Sequence, residues 1–259
     1  MADMLSVDCK DLVACAETRP PEGPVKEPES VFAPGGPELP AFETLHCLGK
    51  LGIFRAGEAA FTFERDGDLY RTKAKLKTSG LVSLLYGVDI DAEGVAGAVD
   101  NRSRSFTWST GGGKEEKKVD IRFDPATGTI RSEIRSPDGN EEITRTDPAA
   151  RDPFAMIHAL RRADLTPGRV YQGGVFTEWY LYVAEATVVG REVIDTPGGE
   201  FDTTYVRIII RKVVDGVPET TSREMGVWLT HDNRRIPARM SVGTSYGKVV
   251  LSLDTYAMR

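Results

Sequence analysis

From Ala59 onward, short segments in which apolar and polar residues alternate with period two follow one another, separated by turn-forming residues. Such a pattern puts successive side chains on opposite faces of a strand, so the chain is constrained to fold as hairpins rather than as a helical bundle. Phe61 and Phe63 share one strand face, Arg65-Asp66-Gly67-Asp68 makes a turn, and Leu69 to Leu76 returns. Further strands are expected over residues 105–108, 119–123, 129–134, 175–183, 186–192, 203–214, 220–229, 235–242 and 246–256. Asp124-Pro125-Ala126-Thr127-Gly128 and Asp215-Gly216 supply turn chemistry between them, so a largely antiparallel meander is predicted.

One segment breaks the period. Asp152 suits a helix N-cap and Pro153 the first helical position; Phe154, Ile157 and Leu160 then recur on one helical face before Thr166-Pro167-Gly168 ends the element. A second short helical turn is expected over Leu81 to Tyr86. A strongly curved antiparallel sheet leaves a concave apolar face that a helix, a second sheet or a ligand must cover. No internal repeat of 20 to 50 residues is visible, which disfavours propellers and solenoids.

Seven of the fifteen prolines lie between Pro20 and Pro40, in a stretch with too little apolar content to form a core. Residues 1–42 are therefore read as a disordered, Pro-rich N-terminal arm, and residues 43–259 as a single β-rich domain. The composition, 40% hydrophobic and 28% charged, is enough to bury a full core. A net charge of -6 without an extended basic field argues against nucleic acid as a partner. No apolar run approaches the roughly 18 residues of a helical membrane span. Three cysteines, Cys9, Cys15 and Cys47, all before residue 50, exclude a disulfide-rich scaffold. Leu12-Val13-Ala14-Cys15 matches a lipobox, although Asp8, Lys10 and Asp11 interrupt the apolar segment that should precede it.

Motifs for chemistry are sparse. Gly111-Gly112-Gly113-Lys114 lacks the earlier Gly and the following Ser or Thr of a phosphate loop, and reads as a hairpin tip with a solvated charge run over residues 114–118. His46, His158 and His231 form no H-x-x-x-H pair and serve no Gly-x-Ser-x-Gly elbow; His158 flanks the apolar stripe of the helix, and His231 sits in a turn. Cys9, Cys15, His46 and Cys47 do not have zinc-knuckle spacing. Acidic pairs such as Glu115-Glu116 and Glu141-Glu142 read as solvated surface. No catalytic residue, metal ligand or cofactor is expected, and the protein is read as non-enzymatic.

The aromatic residues carry more. Phe61 and Phe63 on one expected strand, and Trp108, Phe123, Trp179, Tyr205 and Trp228 each on another, should in several cases share the inward face of a curved sheet; Trp228 is expected inward, with Val227 and Leu229 outward. They form either the core alone or, in part, the wall of an apolar pocket. The ligand-binding set read from this pattern is Phe61, Phe63, Trp108, Phe154, Ile157, Leu160, Trp179 and Trp228.

Val227-Trp228-Leu229-Thr230-His231-Asp232-Asn233-Arg234-Arg235-Ile236-Pro237 resembles the vWlS-x-D-x-x-R-x-P signature of the domain of unknown function 3108 family. Residues 51–59 resemble that family's opening strand motif, residues 152–168 its central helix and residues 243–253 its closing hairpin. The resemblance implies a bacterial, usually exported protein with a mainly β fold, a curved antiparallel sheet forming a half-open barrel covered by a short central helix, similar to the periplasmic carriers LolA and LolB. A monomer in the periplasm or at the outer membrane of a Gram-negative bacterium is expected. It would bind a lipid, acyl chain or lipoprotein segment in the concavity. The alternative is a structural or assembly factor whose barrel is filled by its own side chains and which acts through protein contacts.

Overall fold

The computed structural model describes residues 29–30, 36–79, 89–111, 116–244 and 246–259. The strands are β1 (Glu29–Ser30), β2 (Phe42–Leu51), β3 (Phe54–Asp66), β4 (Leu69–Thr78), β5 (Asp89–Gly97), β6 (Ser103–Gly111), β7 (Lys117–Asp124) and β8 (Thr129–Ser136). They continue as β9 (Gly139–Thr146), β10 (Ala150–Arg151), β11 (Val170–Thr177), β12 (Tyr180–Thr196), β13 (Gly199–Val214), β14 (Val217–Thr230), β15 (Pro237–Thr244) and β16 (Gly247–Met258). One helix, α1 (Pro153–Arg162), interrupts them. All the strands belong to one sheet, in which β11 to β16 pair in sequence, β16 pairs with β2, and β2 to β9 follow in sequence. The β16–β2 ladder, with Leu253 opposite Cys47, joins the two halves of the meander.

Turn chemistry sets these hairpins. Asp215 and Gly216 both have positive φ, at 51° and 80°, the conformation of a two-residue hairpin turn whose twist matches the flanking strands. The sheet is curved but not closed by hydrogen bonds: β9 and β11 do not pair. Its ends meet through side chains instead. Phe176 of β11 and Ala150 of β10 are buried with Phe106, Val119, Ile121, Phe123, Ile130 and Ile134 of β6 to β8. On the other face of β11, Tyr171 and Val175 pack with the helix.

The antiparallel order puts the β3–β4, β5–β6 and β14–β15 turns at the same end as α1, here termed the helix end. The β2–β3, β11–β12, β13–β14 and β15–β16 turns lie at the opposite, open end. The expected helix is present and its cap is as read: the Asp152 carboxylate accepts from the amides of Phe154 at 2.8 Å and Ala155 at 3.1 Å. It is buried on more than its apolar stripe. Met156, Ala159 and Leu160 pack on β11 to β14, while His158 and Arg161 turn toward β2 to β4 and are equally enclosed.

Several expectations are corrected. Residues 175–183 are not one strand, because Glu178, at φ 53°, and Trp179 form the β11–β12 turn. Strand β9 escaped the pattern because it is an edge strand exposed along nearly its whole length, so no apolar alternation marks it. Trp228 faces away from the helix. Val227 and Leu229 point inward beside Met156 and Leu160, whereas Trp228 stacks on Tyr205 at 4.5 Å and packs with Ile194 and Ala238. The tip of the β12–β13 hairpin folds over this outer face, with Gly198 N donating to Leu253 O at 3.0 Å, which is how an outward tryptophan becomes buried. Packing onto the body also begins before residue 42: Leu39 is buried with Tyr70 and Ala98, and Glu38 pairs with Arg65. The helical turn expected over residues 81–86 and the cysteines at 9 and 15 lie outside the described residues.

Candidate functional site

The interior divides into a filled half and an accessible half. At the helix end the filling is polar as well as apolar. The Arg161 guanidinium, fully buried, forms a two-pronged ion pair with Glu43, at 2.8 Å between Nη1 and Oε2 and 2.9 Å between Nη2 and Oε1. It also donates to the carbonyls of Arg234 and Arg235. Every charged atom of such a pair must find a partner once water is removed, and here the β14–β15 turn supplies the remaining acceptors. His158 is hydrogen-bonded through Nε2 to the Thr72 hydroxyl at 2.7 Å, stacked on Tyr70 and edge-on to Phe63. Burial, with Arg161 and Arg162 nearby, lowers its pKa to about 3, so the ring is neutral in the fold.

The signature segment belongs to this half. Asp232 accepts from the Thr230 hydroxyl at 2.8 Å and from the amides of Arg234 and Arg235, holding a tight turn in which Arg235 has φ 48°. That turn aims the Arg235 guanidinium at the carbonyls of Arg161 and Ala163, the C-terminus of α1, where carbonyls lack partners within the helix. The Asp and Arg of the signature therefore lock the helix into the barrel.

Toward the open end the inward side chains become accessible. On β4 the inward residues run Tyr70, Thr72 and Ala74, all buried, then Leu76, partly exposed. On β5, Ala96 and Gly94 are buried and Ala92 and Ile90 are not. On β13 the change falls between Ile208 and Ile210, on β14 between Val227 and Met225, and on β16 between Leu253 and Leu251. Five strands thus share one gradient: away from α1, large apolar side chains still face inward but none of the described residues covers them completely. Leu76 lies directly across from Ile90, and Ile210 two residues along its strand from Ile208, so these residues extend the walls of the core beyond its filling.

Aromatic and basic groups mark the open end of this concavity. Lys117 of β7 lies over the Trp179 ring at 4.0 Å and 5.8 Å from the Trp108 ring, and pairs with the Glu178 carboxylate across the seam between the sheet's two ends. It was expected in a solvated charge run, but its side chain is largely enclosed. Lys212 lies 3.4 Å from the Tyr180 ring, opposite Tyr182.

The eight residues expected to bind ligand do not form one site. Phe63 and Leu160 belong to the filled half. Trp228 is on the opposite face of the sheet. Phe61, Trp108, Phe154, Ile157 and Trp179 are partly exposed on inward-facing clusters, joined by Leu76, Ile210, Met225, Met240 and Leu251, which sequence reading did not single out. Their signal was ordinary alternation, identical to that of buried core, because exposure depends on where the helix stops. His46 sits outside, between Glu58 and Asp254. Among the described residues no group of three His, Cys, Asp or Glu side chains is placed to hold a metal ion. No helix among them is long and apolar enough to cross a membrane.

Comparisons with known proteins give a family match and, at a TM-score above 0.5, a structural match. The model of the family described as proteins of unknown function, DUF3108, matches residues 45–254. A β-barrel-like protein of the DUF1849 domain family from Brucella abortus superposes with a TM-score of 0.59 at 12% identity, over 85% of this chain and 99% of that one. A protein with a YmcC-like fold from Bacteroides fragilis, assigned as exported, gives a TM-score of 0.38 at 10% identity, over 87% of this chain and 99% of that one. A protein from Parabacteroides distasonis, assigned as a lipoprotein, gives 0.37 at 9% identity, over 90% of this chain and 100% of that one. No curated protein matches.

Proposed function

We propose that this chain, which belongs to the DUF3108 family, is a non-enzymatic protein of the bacterial envelope that holds an apolar ligand in the uncovered half of its half-open barrel. The observation that carries this reading is the shared gradient on β4, β5, β13, β14 and β16, where inward apolar side chains lose their cover with distance from α1. An acyl chain of a lipid or lipoprotein would replace the missing cover. Each Å² of apolar surface it removes from water contributes about 25 cal/mol. Helix α1 acts as the floor of the site and not as a gate, because the Glu43–Arg161 pair and the Arg235 contacts fix it at both the sheet and the β14–β15 turn. The periplasm or outer membrane is the compartment in which such cargo and the implied export of the family coincide.

Native mass spectrometry of the full chain purified without detergent, followed by lipid extraction, tests the reading. Adducts that yield acyl species on extraction are expected. An unadducted protein that also fails to take up added fatty acid contradicts it and favours the assembly-factor alternative, for which the plugged helix end speaks.

A further inference from the structure

Five of the largest exposed apolar side chains gather at the turns of the open end. Ile53, in the β2–β3 turn, is 88% exposed and Phe54, which opens β3, 54%; Tyr246 in the β15–β16 turn is 61% exposed, and Val214 and Val217 flank the β13–β14 turn. The first two turns are neighbours, because β16 pairs with β2 and Val249 stands opposite Leu51. A folded chain leaves an isoleucine and a phenylalanine side by side in water only at a cost, and here no strand or loop among the described residues covers them.

Charge is distributed to match. Lys50, Arg55, Lys77 and Lys248 are exposed around this tip. Arg55 and Lys77 line a groove of about 440 Å³ with Glu58, Thr78 and Ser79. Glu58 is engaged by Arg55 and His46, each at 3.8 Å, which leaves the other cations to set the local field together with Asp89. The opposite end carries exposed acids in its turns, Asp66 and Asp68 between β3 and β4, Asp124 between β7 and β8, and Glu200 between β12 and β13. The Ile53–Phe54 tip is apolar and ringed by these cations, while the β8–β9 and β13–β14 turns elsewhere on the open end carry the exposed acids Asp138 and Asp215.

We propose that the Ile53–Phe54 tip docks the protein on an anionic phospholipid bilayer. The apolar residues enter the headgroup boundary, Lys50, Arg55, Lys77 and Lys248 contact lipid phosphates, and the helix end points away. Charge complementarity selects a bilayer over an apolar protein partner, since the cations form a collar around the apolar tip as they do on interfacial anchors. This orientation presents the uncovered half of the barrel to the membrane, a consequence that rests on the function proposed above; the docking itself does not.

Co-sedimentation of the full chain with vesicles of phosphatidylcholine alone, or mixed with phosphatidylglycerol, tests the proposal. Binding only to the mixed vesicles is expected, weakened by salt and reduced about tenfold or more by Phe54→Asp, since burying one aromatic side chain is worth at least that factor. Phe54→Asp should keep its circular dichroism and its fatty-acid binding, which separates failure of docking from failure of ligand capture. Equal binding to both vesicle types, no binding, or undiminished binding by Phe54→Asp overturns the proposal. A dimer in solution that Phe54→Asp dissociates, without vesicle binding, would assign the tip to a second copy of the chain and overturn it as well.

Discussion

Arg161 and Arg235 hold each other's backbone: Arg161 Nε donates to Arg235 O at 2.9 Å, and Arg235 Nη1 donates to Arg161 O at 3.0 Å. The helix and the β14–β15 turn, 74 residues apart in sequence, are therefore tied by two reciprocal charged hydrogen bonds. Removing either arginine strips one segment of partners supplied by the other.

Arg235→Ala should cost about 2 kcal/mol, the range for hydrogen bonds to a charged group whose acceptors are then left buried. Arg161→Ala should cost more, about 3–5 kcal/mol, because it leaves the Glu43 carboxylate unpaired in the interior. Adding Glu43→Leu to Arg161→Met should recover part of that loss. Urea denaturation of Arg235→Ala, Arg161→Ala, Arg161→Met, Glu43→Leu and the Glu43→Leu, Arg161→Met pair measures these losses, and additive losses in the pair would show that the Glu43–Arg161 contact is not the coupling element.

Trp228→Ala should destabilise the fold by about 3 kcal/mol while leaving interior ligand capture unchanged. The tryptophan is buried, yet it packs under the β12–β13 tip on the face opposite α1. Loss of ligand binding in a folded Trp228→Ala variant would return it to the concave face.

His158 gives the fold a specific acid sensitivity. Its pKa falls from an unfolded value near 6.5 to about 3 in the fold, so between those values the unfolded chain binds the extra proton. The stability it confers is full above about pH 6.5 and is lost as pH falls toward 3, at no more than about 1.4 kcal/mol per pH unit. Denaturation midpoints measured across that window should fall more steeply for the wild type than for His158→Gln. Parallel slopes would mean that the ring is already protonated in the fold or is not enclosed.

Cys47 should resist alkylation. Its thiol is buried and its pKa is raised to about 12, chiefly by burial, so the thiolate that reacts is scarce. In a Cys9→Ser, Cys15→Ser background, iodoacetamide should label the chain only in denaturant; labelling at the rate of an exposed thiol under native conditions would show that the β2–β3 cluster opens.

Much of this architecture is legible locally. The N-cap of α1, Asp152-Pro153, and the hairpin turn at Asp215-Gly216 need only neighbouring residues, and both are found where expected. Facing is another matter. In Gly226-Val227-Trp228-Leu229 both alternating sets are apolar because both faces of β14 are covered, so the sequence carries no signal for which set points inward. The buried polar contacts are hidden for a different reason, since Thr72 and His158 are 86 residues apart and Glu43 and Arg161 118 apart. Only the rolled sheet brings them together. The accessible residues Leu76, Ile210 and Met225 alternate just like filled core, and only the position of the helix separates the two.

The central claim, that the inner face beyond α1 receives an apolar chain, is tested most directly by titrating a fluorescent fatty acid into the wild type and into Ile210→Asp. The substitution puts an unpaired carboxylate on an accessible stretch of the inner wall, at the margin of the core cluster that Ile210 packs against, where apolar cargo would have to desolvate it. Saturable binding to the wild type, weakened about tenfold or more in a variant with native circular dichroism, is the predicted result. A wild type that binds no probe over a broad concentration range, or a folded Ile210→Asp variant that binds it equally well, contradicts the account.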